Sequence, residues 1–364
     1  MSFRSSCTND RFVTLDNGPI LANGGASIFR GLNYSRFLEL PRTVTFDFEF
    51  IAGRPIAPAG YEYVSTSIST DGKGLFLFTQ KLLKDRVLGA FRNAGGAIFP
   101  NTSMNAEARF KLIVLYNGTA TEIDLPPLDI TFPICDLFCD GRILLAGARC
   151  RWRGTDDFDR NGVIFDPATG QISRILLGDG IANLSIDEND RIWVSYFDEG
   201  VFGNFGWNHP GPPGPGAGGL VCFADDGKEL WAFNGPENSA FIGDCYAFNA
   251  QREERWAYVY SDFDLCSVDG NFRSEILSGV SVSGSSAFAV ADQGFLFSSQ
   301  YREPTNTFHL LQRNGQSLGR PQSVIGRLPD RNWIDRCQLA GRGAWMHVIN
   351  DDGWFATDFS AQLA

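Results

Sequence analysis

The sequence has few of the residues that most often carry catalysis and metal binding. It contains 3 histidines among 364 residues, and it has no GxSxG elbow, HExxH, P-loop or CxxC pair. Basic residues are also scarce, since 31 Lys and Arg face 42 Asp and Glu, for a net charge of −11 at pH 7. Binding to nucleic acid or to an anionic membrane needs clustered basic residues, so the composition argues against both partners.

Long apolar segments are missing as well. No run approaches the roughly 18 residues of a membrane span, and MSFRSSCTNDRFVTLDNG has no apolar core of signal-peptide length. The cysteines are scattered through strand-like runs, which is typical of buried free thiols in a reducing compartment, so we expect a cytoplasmic protein. Cys135 and Cys139 form a CxxxC pair that lacks the second ligand pair of a zinc site.

What the chain has in abundance is a two-part repeat rich in aromatic residues and turns. The first part is a polar turn and an apolar run, as in TDGKGLFLFT, CDGRILLAGA and DENDRIWVSY. The second is an apolar run, a turn and an extended run, as in FKLIVLYNGTATEIDL and GVIFDPATGQISRILL. A period of roughly 40 to 60 residues indicates a solenoid or a propeller, and four short antiparallel strands per unit favour propeller blades.

The repeat predicts an all-β, six-bladed propeller. Its units are Tyr61 to Leu125, Thr131 to Leu177, Ile181 to Asn234, Phe241 to Leu277, Val282 to Gly319, and Asn332 to the C-terminus. The last unit lacks an outer strand, and TVTFDFEF at Thr43 is predicted to supply it, because a propeller must close. Residues 41–364 then form one domain. Residues 1–40 are an N-terminal extension or cap, or part of a seventh blade.

The DGRI, NDRIW and FDPATGQ turns resemble those of bacterial β-propeller proteins of the NHL-repeat, two-component-regulator and SMP-30/gluconolactonase-like class. The resemblance covers about two-thirds of the chain and concerns hairpins, so it implies a fold and not a chemistry. The gluconolactonase-like members imply one expectation of function. A divalent metal at the channel mouth, held by carboxylates and an Asn from separate blades, would act on an ester, lactone or glycan.

Strand order predicts where a site lies. Turns between strands one and two and between strands three and four share one end of a blade, and here they are short and alike. Loops between strands two and three share the other end with the crossovers between blades, and they are predicted to be long and irregular. Variable loops on a regular scaffold commonly carry function, so the site is expected on this loop face.

Several loop residues are candidates for metal binding or catalysis. Asp157, Asp159 and Asn161 open a D-x-D-x-N-G pattern that would suit Ca²⁺, but Ala168 stands where a calcium loop has its Glu, and Asn-Gly also predicts a plain hairpin. Asp198, Glu199 and His209 are the catalytic candidates, with a solvated loop rim as the alternative. Further positional candidates for a metal are Asp198, Asp244, Asn249 and Asp262.

Other loop residues are candidates for binding a ligand, namely Arg151, Arg153, Tyr196, Trp207, Tyr260, Tyr301, Arg302 and Arg331. Arg151 and Arg153 alternate along a strand, so they could clamp an anion together or pair with Asp156 and Asp157. The Gly- and Pro-rich stretch 203–219, with Trp207 and His209, is either a lid over the channel or a surface excursion.

Two functions follow, and the sequence leaves open whether the protein is an enzyme. The first is a propeller that binds a small polar molecule or a peptide segment at an aromatic, carboxylate-rich loop face. The second is a metal-dependent, lactonase-like hydrolase. A glycan-cleaving enzyme with two carboxylates is a third, but no pair can be assigned.

Overall fold

The computed structural model describes residues 44–92, 96, 98–102, 107–234, 241–250, 254–260, 262–315, 317–330, 334 and 337–362. Six four-stranded antiparallel blades form a ring, so the protein is a six-bladed β-propeller as predicted. The predicted extension at residues 1–40 lies outside the described residues. Among the helices described, none is long and apolar enough to cross a membrane.

In the first four blades the strands run in chain order from the channel to the rim, because the first strands of neighbouring blades contact one another around the ring. Blade 1 has strands Tyr61–Ile68, Gly74–Gln80, Phe110–Tyr116 and Thr119–Asp124, and blade 2 has Pro133–Leu137, Ile143–Gly147, Gly162–Phe165 and Ile172–Ile175. Blade 3 has Ile181–Ile186, Ile192–Tyr196, Leu220–Phe223 and Glu229–Ala232, and blade 4 has Asp244–Ala250, Glu254–Tyr260, Asp264–Asp269 and Ser274–Leu277.

Blade 5 contains Phe288–Ala291, Gly294–Phe297, Thr307–Asn314 and Gln322–Arg327, and blade 6 contains Gln338–Arg342, Trp345–Ile349, Trp354–Asp358 and the early strand Glu49–Ala52. The remaining pieces are short. They are the strands Val44–Asp47, Ala90–Arg92, Ile98–Pro100, Trp152–Gly154, Asp157–Phe158 and Ser317–Leu318, and the helical turns Lys81–Leu83, Lys84–Val87, Asp198–Phe202, Pro215–Gly218 and Phe359–Gln362.

The second strand of each blade is the most apolar because neighbouring blades pack on both of its faces. Ile192–Tyr196 is buried along its whole length, whereas the outer strand Thr119–Asp124 is almost entirely exposed. Each apolar core therefore lies between two blades, as in the cluster that joins Leu144 of blade 2 to Val194 of blade 3. This burial explains why continuous apolar runs, and not strict alternation, mark these strands in the sequence.

Residues 44–52 close the ring, which confirms the prediction for the run at Thr43. Glu49–Ala52 is the outer strand of blade 6 and pairs antiparallel with Trp354–Ala356. The same run also does something that the sequence did not predict, because Val44–Asp47 pairs parallel with the outer strand of blade 5. Phe48 lies between the two strands, donates its backbone N–H to the Arg327 carbonyl at 2.9 Å, and is 1% exposed.

The predicted end of blade 5 at Gly319 is wrong. Ser317–Leu318 forms only a small hairpin with the end of the third strand, and the outer strand is Gln322–Arg327. Val324 of that strand is 3% exposed in the core between blades 5 and 6, which Ser317 and Leu318 do not reach. The turn around Gly315 is thus a local feature and not the turn that joins the third and fourth strands.

We expect Phe48→Ala to destabilise the protein by about 3–5 kcal/mol, because it leaves a cavity beside Phe46 and Phe308 where the ring closes. Phe50→Ala is the matched control, since Phe50 lies on the same run but is 56% exposed, and it should cost about 1 kcal/mol or less. Urea unfolding measures both. Equal losses for the two variants would contradict the assigned closure.

Candidate functional site

The two ends of the channel differ in their connections. Blades 1, 2 and 3 have long loops between strands two and three, at 81–109, 148–161 and 197–219, on the loop face. The prediction of long loops is wrong for blades 4 and 6, in which 261–263 and 350–353 are tight connections. The loop face is therefore uneven, with the short connection of blade 4 next to the long loop of blade 3.

On the turn face, the side chain of Arg342 reaches from blade 6 across the channel. Its guanidinium donates hydrogen bonds to the hydroxyls of Ser185 in blade 3 and Thr70 beside blade 1, and to the Ile186 carbonyl at 2.7 Å. Its Nη2 lies 3.6 Å from the carboxylate of Asp136 in blade 2. One arginine thus connects four blades at this end.

Acidic side chains on the turn face are engaged by neighbouring blades. Asp136 accepts the backbone N–H of Ile186 at 2.7 Å, and burial raises its pKa to about 6 in spite of Arg342. Asp187 is held by Arg191 and by Arg255 of blade 4 at 2.8 and 2.7 Å. Burial raises the pKa of Asp187, but hydrogen bonds from Trp193 and the Arg191 backbone outweigh it, so the net shift is downward.

Asn249 also lies at this end, although it was a positional candidate for a metal at the loop face. Its amide donates to the carbonyls of Phe288 and Gly343 at 2.7 and 3.0 Å, and its oxygen accepts the Gly343 N–H at 2.8 Å. It is fully buried near the last residue of the first strand of blade 4, so strand direction places it away from the mouth. Asn249 joins three blades and is not a mouth residue.

At the mouth between blades 2 and 3, Arg149 forms a buried ion-pair group. Its Nη2 lies 3.0 Å from Asp179 and 2.6 Å from Glu199, and its guanidinium stacks over Phe205. Burial raises the pKa of Asp179 to about 7, against the opposing effects of Arg149 and the Cys150 N–H. Glu199 is thus the catalytic candidate that meets a second carboxyl group, whereas Asp198 is exposed and accepts the Glu199 N–H at 2.8 Å.

The Gly- and Pro-rich loop of blade 3 packs on the mouth loop of blade 2. Trp207 is 6% exposed and donates its indole N–H to the Cys150 carbonyl at 3.1 Å. Gly206 and Gly211 lie so close to Trp152 that a Cβ at either would overlap it. The lid interpretation is corrected here, because the loop is fixed to the neighbouring blade. His209 is exposed at its surface.

Tyr196 and Trp207, which were predicted to contact a ligand, are buried instead. Trp207 presents its ring to Phe158 and the loop interior, and Tyr196 is fully buried with its hydroxyl donating to the Leu177 carbonyl. Both rings belong to the packing between blades 2 and 3. Sequence reasoning placed them on the mouth because they border loops, but position in the chain does not reveal which way a ring turns.

The residues of the predicted calcium loop do not form a shared oxygen cage. Asp157 and Asp159 pair with Arg153 at 2.7 and 2.8 Å. Asn161 turns inward, donates to the carbonyls of Gly147 and Gly178, and accepts from Leu177. Within the ranges that the structure describes, no group of three or more His, Cys, Asp or Glu side chains is placed to hold a metal ion.

At the mouth between blades 4 and 5, aromatic rings form a cluster that we call the tyrosine cluster, consisting of Tyr246, Tyr260, Phe263 and Tyr301. Tyr246 stacks on Tyr260 at 6.1 Å and meets Phe263 edge-on at 5.3 Å between ring centroids. Tyr301 crosses from blade 5 and donates its hydroxyl to that of Tyr246. Tyr260 and Tyr301 are 48% and 50% exposed, so the structure brings these two predicted residues together at the surface.

Local backbone features create this cluster. The strand register shifts between Cys245 and Ala247, which places Tyr246 at a β-bulge, and such bulges re-aim side chains next to binding sites. Phe263 adopts a left-handed φ of 59° in the tight loop. Gly284, with φ 76°, packs against the Tyr301 ring, and a Cβ there would overlap it. Tyr246 and Phe263 were missed by the sequence reasoning, although the aromatic spacing in YVYSDF was a usable signal.

Three of the remaining candidates lie beside members of the tyrosine cluster. Asp244 stands opposite Tyr260 in the strand register, and Asp262 is exposed beside Phe263. Arg302 is exposed next to Tyr301, and Arg151 lies half-buried over Phe205. Arg331 lies outside the described residues. The cluster therefore contains two predicted tyrosines, and two predicted carboxylates and one predicted arginine lie next to its members in the chain or in the strand register.

Comparison with known proteins adds fold-level similarity only. No family model matches the chain, and no curated protein matches it. Among solved structures, a virginiamycin B lyase from Staphylococcus aureus is 10% identical, covering 85% of this chain and 98% of that chain, with a TM-score of 0.43. A gluconolactonase from Xanthomonas campestris is 11% identical, covering 84% and 97%, with a TM-score of 0.38. The propeller domain of the Trilobed protease from Pyrococcus furiosus is 10% identical, covering 79% and 78%, with a TM-score of 0.40.

The raised pKa of Asp179 predicts a pH effect on stability. The folded protein binds this proton more tightly than the unfolded chain. The protonated Asp179 therefore contributes to the free energy of unfolding below about pH 4, and this contribution is lost as the pH rises toward 7. Relative to wild type, Asp179→Asn should therefore gain on the order of 3–4 kcal/mol between pH 4 and 8. Chemical unfolding at several pH values measures the difference.

Asp166→Asn is the control of opposite sign. Hydrogen bonds from Thr169 and Ala168 lower the pKa of Asp166, so its contribution to stability is present above the unfolded pKa and is lost as the pH falls. Relative to wild type, this variant should lose stability as the pH rises. Parallel curves for wild type and Asp179→Asn would contradict the assigned burial of that carboxyl.

Proposed function

We propose that the protein is a binding propeller that takes a small polar molecule or a peptide segment on its loop face, at the tyrosine cluster. The observation that carries this proposal is the exposure of Tyr260 and Tyr301 in a cluster built from two blades. Tyrosine offers an apolar ring and a polar tip, which suits a surface that is half-wet before binding and covered afterwards.

The contrast with the rest of the loop face supports this location. Between blades 2 and 3, Arg149 pairs with Asp179, and the indole of Trp207 is buried and bonded to the Cys150 carbonyl. At the tyrosine cluster, about half of each of two large rings is left exposed although their neighbours hold them in place. Rigid aromatic groups lose little conformational entropy on binding, so such positions commonly dominate affinity.

The enzyme alternative has its best support at Arg149, where Glu199 and Asp179 share one guanidinium nitrogen and the pKa of Asp179 is raised to about 7. A carboxyl group that titrates near neutral pH can move a proton, which is the chemistry of a hydrolase. If the protein hydrolyses lactones or esters there, Glu199→Gln should lower kcat at least tenfold on a panel of such substrates. Turnover that is unchanged in this variant would exclude Glu199 from the reaction.

For the binding proposal, we expect a thermal-shift panel of sugars, amino acids, organic acids and amines to contain ligands whose affinity falls about tenfold in Tyr260→Ala and Tyr301→Ala. The melting temperature of both unliganded variants should change little, since the rings are half-exposed. Tyr116→Ala is the matched control because Tyr116 is 45% exposed on the opposite, turn face. Ligands that bind the two cluster variants as tightly as wild type would overturn the proposal.

A further inference from the structure

We infer that the ligand of the tyrosine cluster carries a cationic head group, of the substituted ammonium class, which binds over the ring faces of Tyr260 and Tyr301. This inference rests on the proposed binding function and narrows its ligand chemistry. It follows from three features, namely exposed electron-rich rings, carboxylates at their margin, and the cations that lie over the partly exposed tyrosines of blade 1.

The first feature is the ring geometry. The cluster presents two half-exposed phenol rings from different blades, and both pack edge-on against Phe263, at 5.6 Å for Tyr260 and 6.2 Å for Tyr301. The negative face of an aromatic ring attracts a cation within about 6 Å of its centroid, and several rings around one position recognise quaternary ammonium groups. Neutral polar ligands gain no comparable electrostatic attraction from the same faces.

The second feature is the charge at the margin. Asp244 pairs with Tyr260 in the strand register, so their Cβ atoms are neighbours, and the exposed Asp262 precedes Phe263 in the tight loop. Asp264 begins the next strand opposite Val259, so it lies on the other face of the sheet from Tyr260. The carboxylates of Asp244 and Asp262, beside the exposed Arg302, favour a cation over an anion.

The third feature is the use of cation–π pairs elsewhere in the protein. Arg54 lies 4.3 Å from the centroid of Tyr63, Lys111 lies 5.4 Å from that of Tyr61, and Lys73 lies 5.7 Å from that of Tyr116. These exposed or half-buried rings are matched by a cation from the chain itself. In the ranges described, no Lys or Arg of the chain is seated over Tyr260, which fits a ring whose cation comes from outside.

Gly284 leaves room for the Tyr301 ring in the tyrosine cluster. The Tyr301 ring lies directly over its Cα, in a backbone conformation with φ 76° that disfavours other residues. The backbone N–H of Tyr301 donates to the Ser283 carbonyl at 3.1 Å, which fixes the residue to the crossover between blades 4 and 5. Gly284→Ala should therefore displace Tyr301 from the cluster without removing any ring or charge.

The experiment compares three probes that differ in charge, using ligand-observed NMR and calorimetry on the full chain. They are choline, its neutral carbon analogue 3,3-dimethylbutan-1-ol, and the anion 3,3-dimethylbutanoate. We expect choline to bind saturably in the millimolar range that suits so small a ligand, and the neutral analogue to bind at least tenfold more weakly. The anion should be the weakest of the three.

Variants locate the binding. Tyr260→Ala and Gly284→Ala should each weaken choline at least fivefold, Asp262→Asn about two- to threefold, and Tyr116→Ala not at all. Arg302→Ala should strengthen choline about twofold, because it removes a nearby positive charge. Circular dichroism and thermal melting identify any variant that has lost its fold, and Tyr260→Phe, which keeps the ring, should retain most of the choline affinity.

Two outcomes would overturn the inference. If the neutral or anionic probe binds at least as tightly as choline and loses affinity in Tyr260→Ala, the cluster binds ligands but does not select cations, and the proposed function survives alone. If choline binding is absent, or is unchanged in both Tyr260→Ala and Tyr301→Ala, no cation site exists at the cluster.

Discussion

The structure depends on closure of the ring by residues 44–52. A ring of sheets that does not close leaves unpaired strand edges. Here one short run pairs with two blades, parallel to blade 5 and antiparallel to blade 6. Phe48, between these pairings, packs with Phe308 in the core that joins the two blades. Because backbone pairing and a buried ring close the propeller, the loops on the two faces are not needed for closure.

The turn face makes a second connection at the channel. Arg342, Asn249 and Asp136 link all six blades through hydrogen bonds to backbone and side-chain groups. A buried charge is costly unless it is paired and hydrogen-bonded, and these contacts meet that requirement. These three side chains on the turn face therefore serve the structure, whereas the exposed tyrosines of the cluster lie at the loop face.

The mouth on the loop face has two parts, one in which side chains are packed between blades and one in which they are exposed. Arg149, Trp207 and their partners bury the long loops of blades 2 and 3 against each other. The tight loop of blade 4 covers little, so the rings of Tyr260 and Tyr301 stay open to solvent. The long loops drew attention in the sequence, but in the structure they pack on themselves, and the open surface lies beside the shortest connection.

This division shows what the sequence could predict. The turns DGR, NDR and DPATG determine hairpins locally, so blade number, strand order and the closing run are all readable from the amino-acid pattern. The outer strand of blade 5 is not, because Gly315 offers a closer hairpin and only the buried position of Val324 identifies the later strand. The loop residues Arg153 and Asp157 were predicted both as ligands and as partners of each other, and packing decided for the pair.

The site was only partly predictable for a related reason. Tyr260 and Tyr301 were recognised by residue type and loop position, but their meeting depends on the bulge at Tyr246 and on Gly284, which are properties of the folded backbone. Burial of Tyr196 and Trp207 is likewise a matter of side-chain direction. Such features follow from contacts between blades that are distant in sequence, so local patterns do not encode them.

The central claim is that the open part of the mouth between blades 4 and 5 binds the ligand. The most direct measurement is NMR of protein labelled at its 9 tyrosines, titrated with choline. The account predicts that ring signals of Tyr246, Tyr260 and Tyr301 shift together with one saturation curve while that of Tyr116 stays unchanged. Shifts that appear at Tyr116 or Tyr61 and spare the cluster would contradict it.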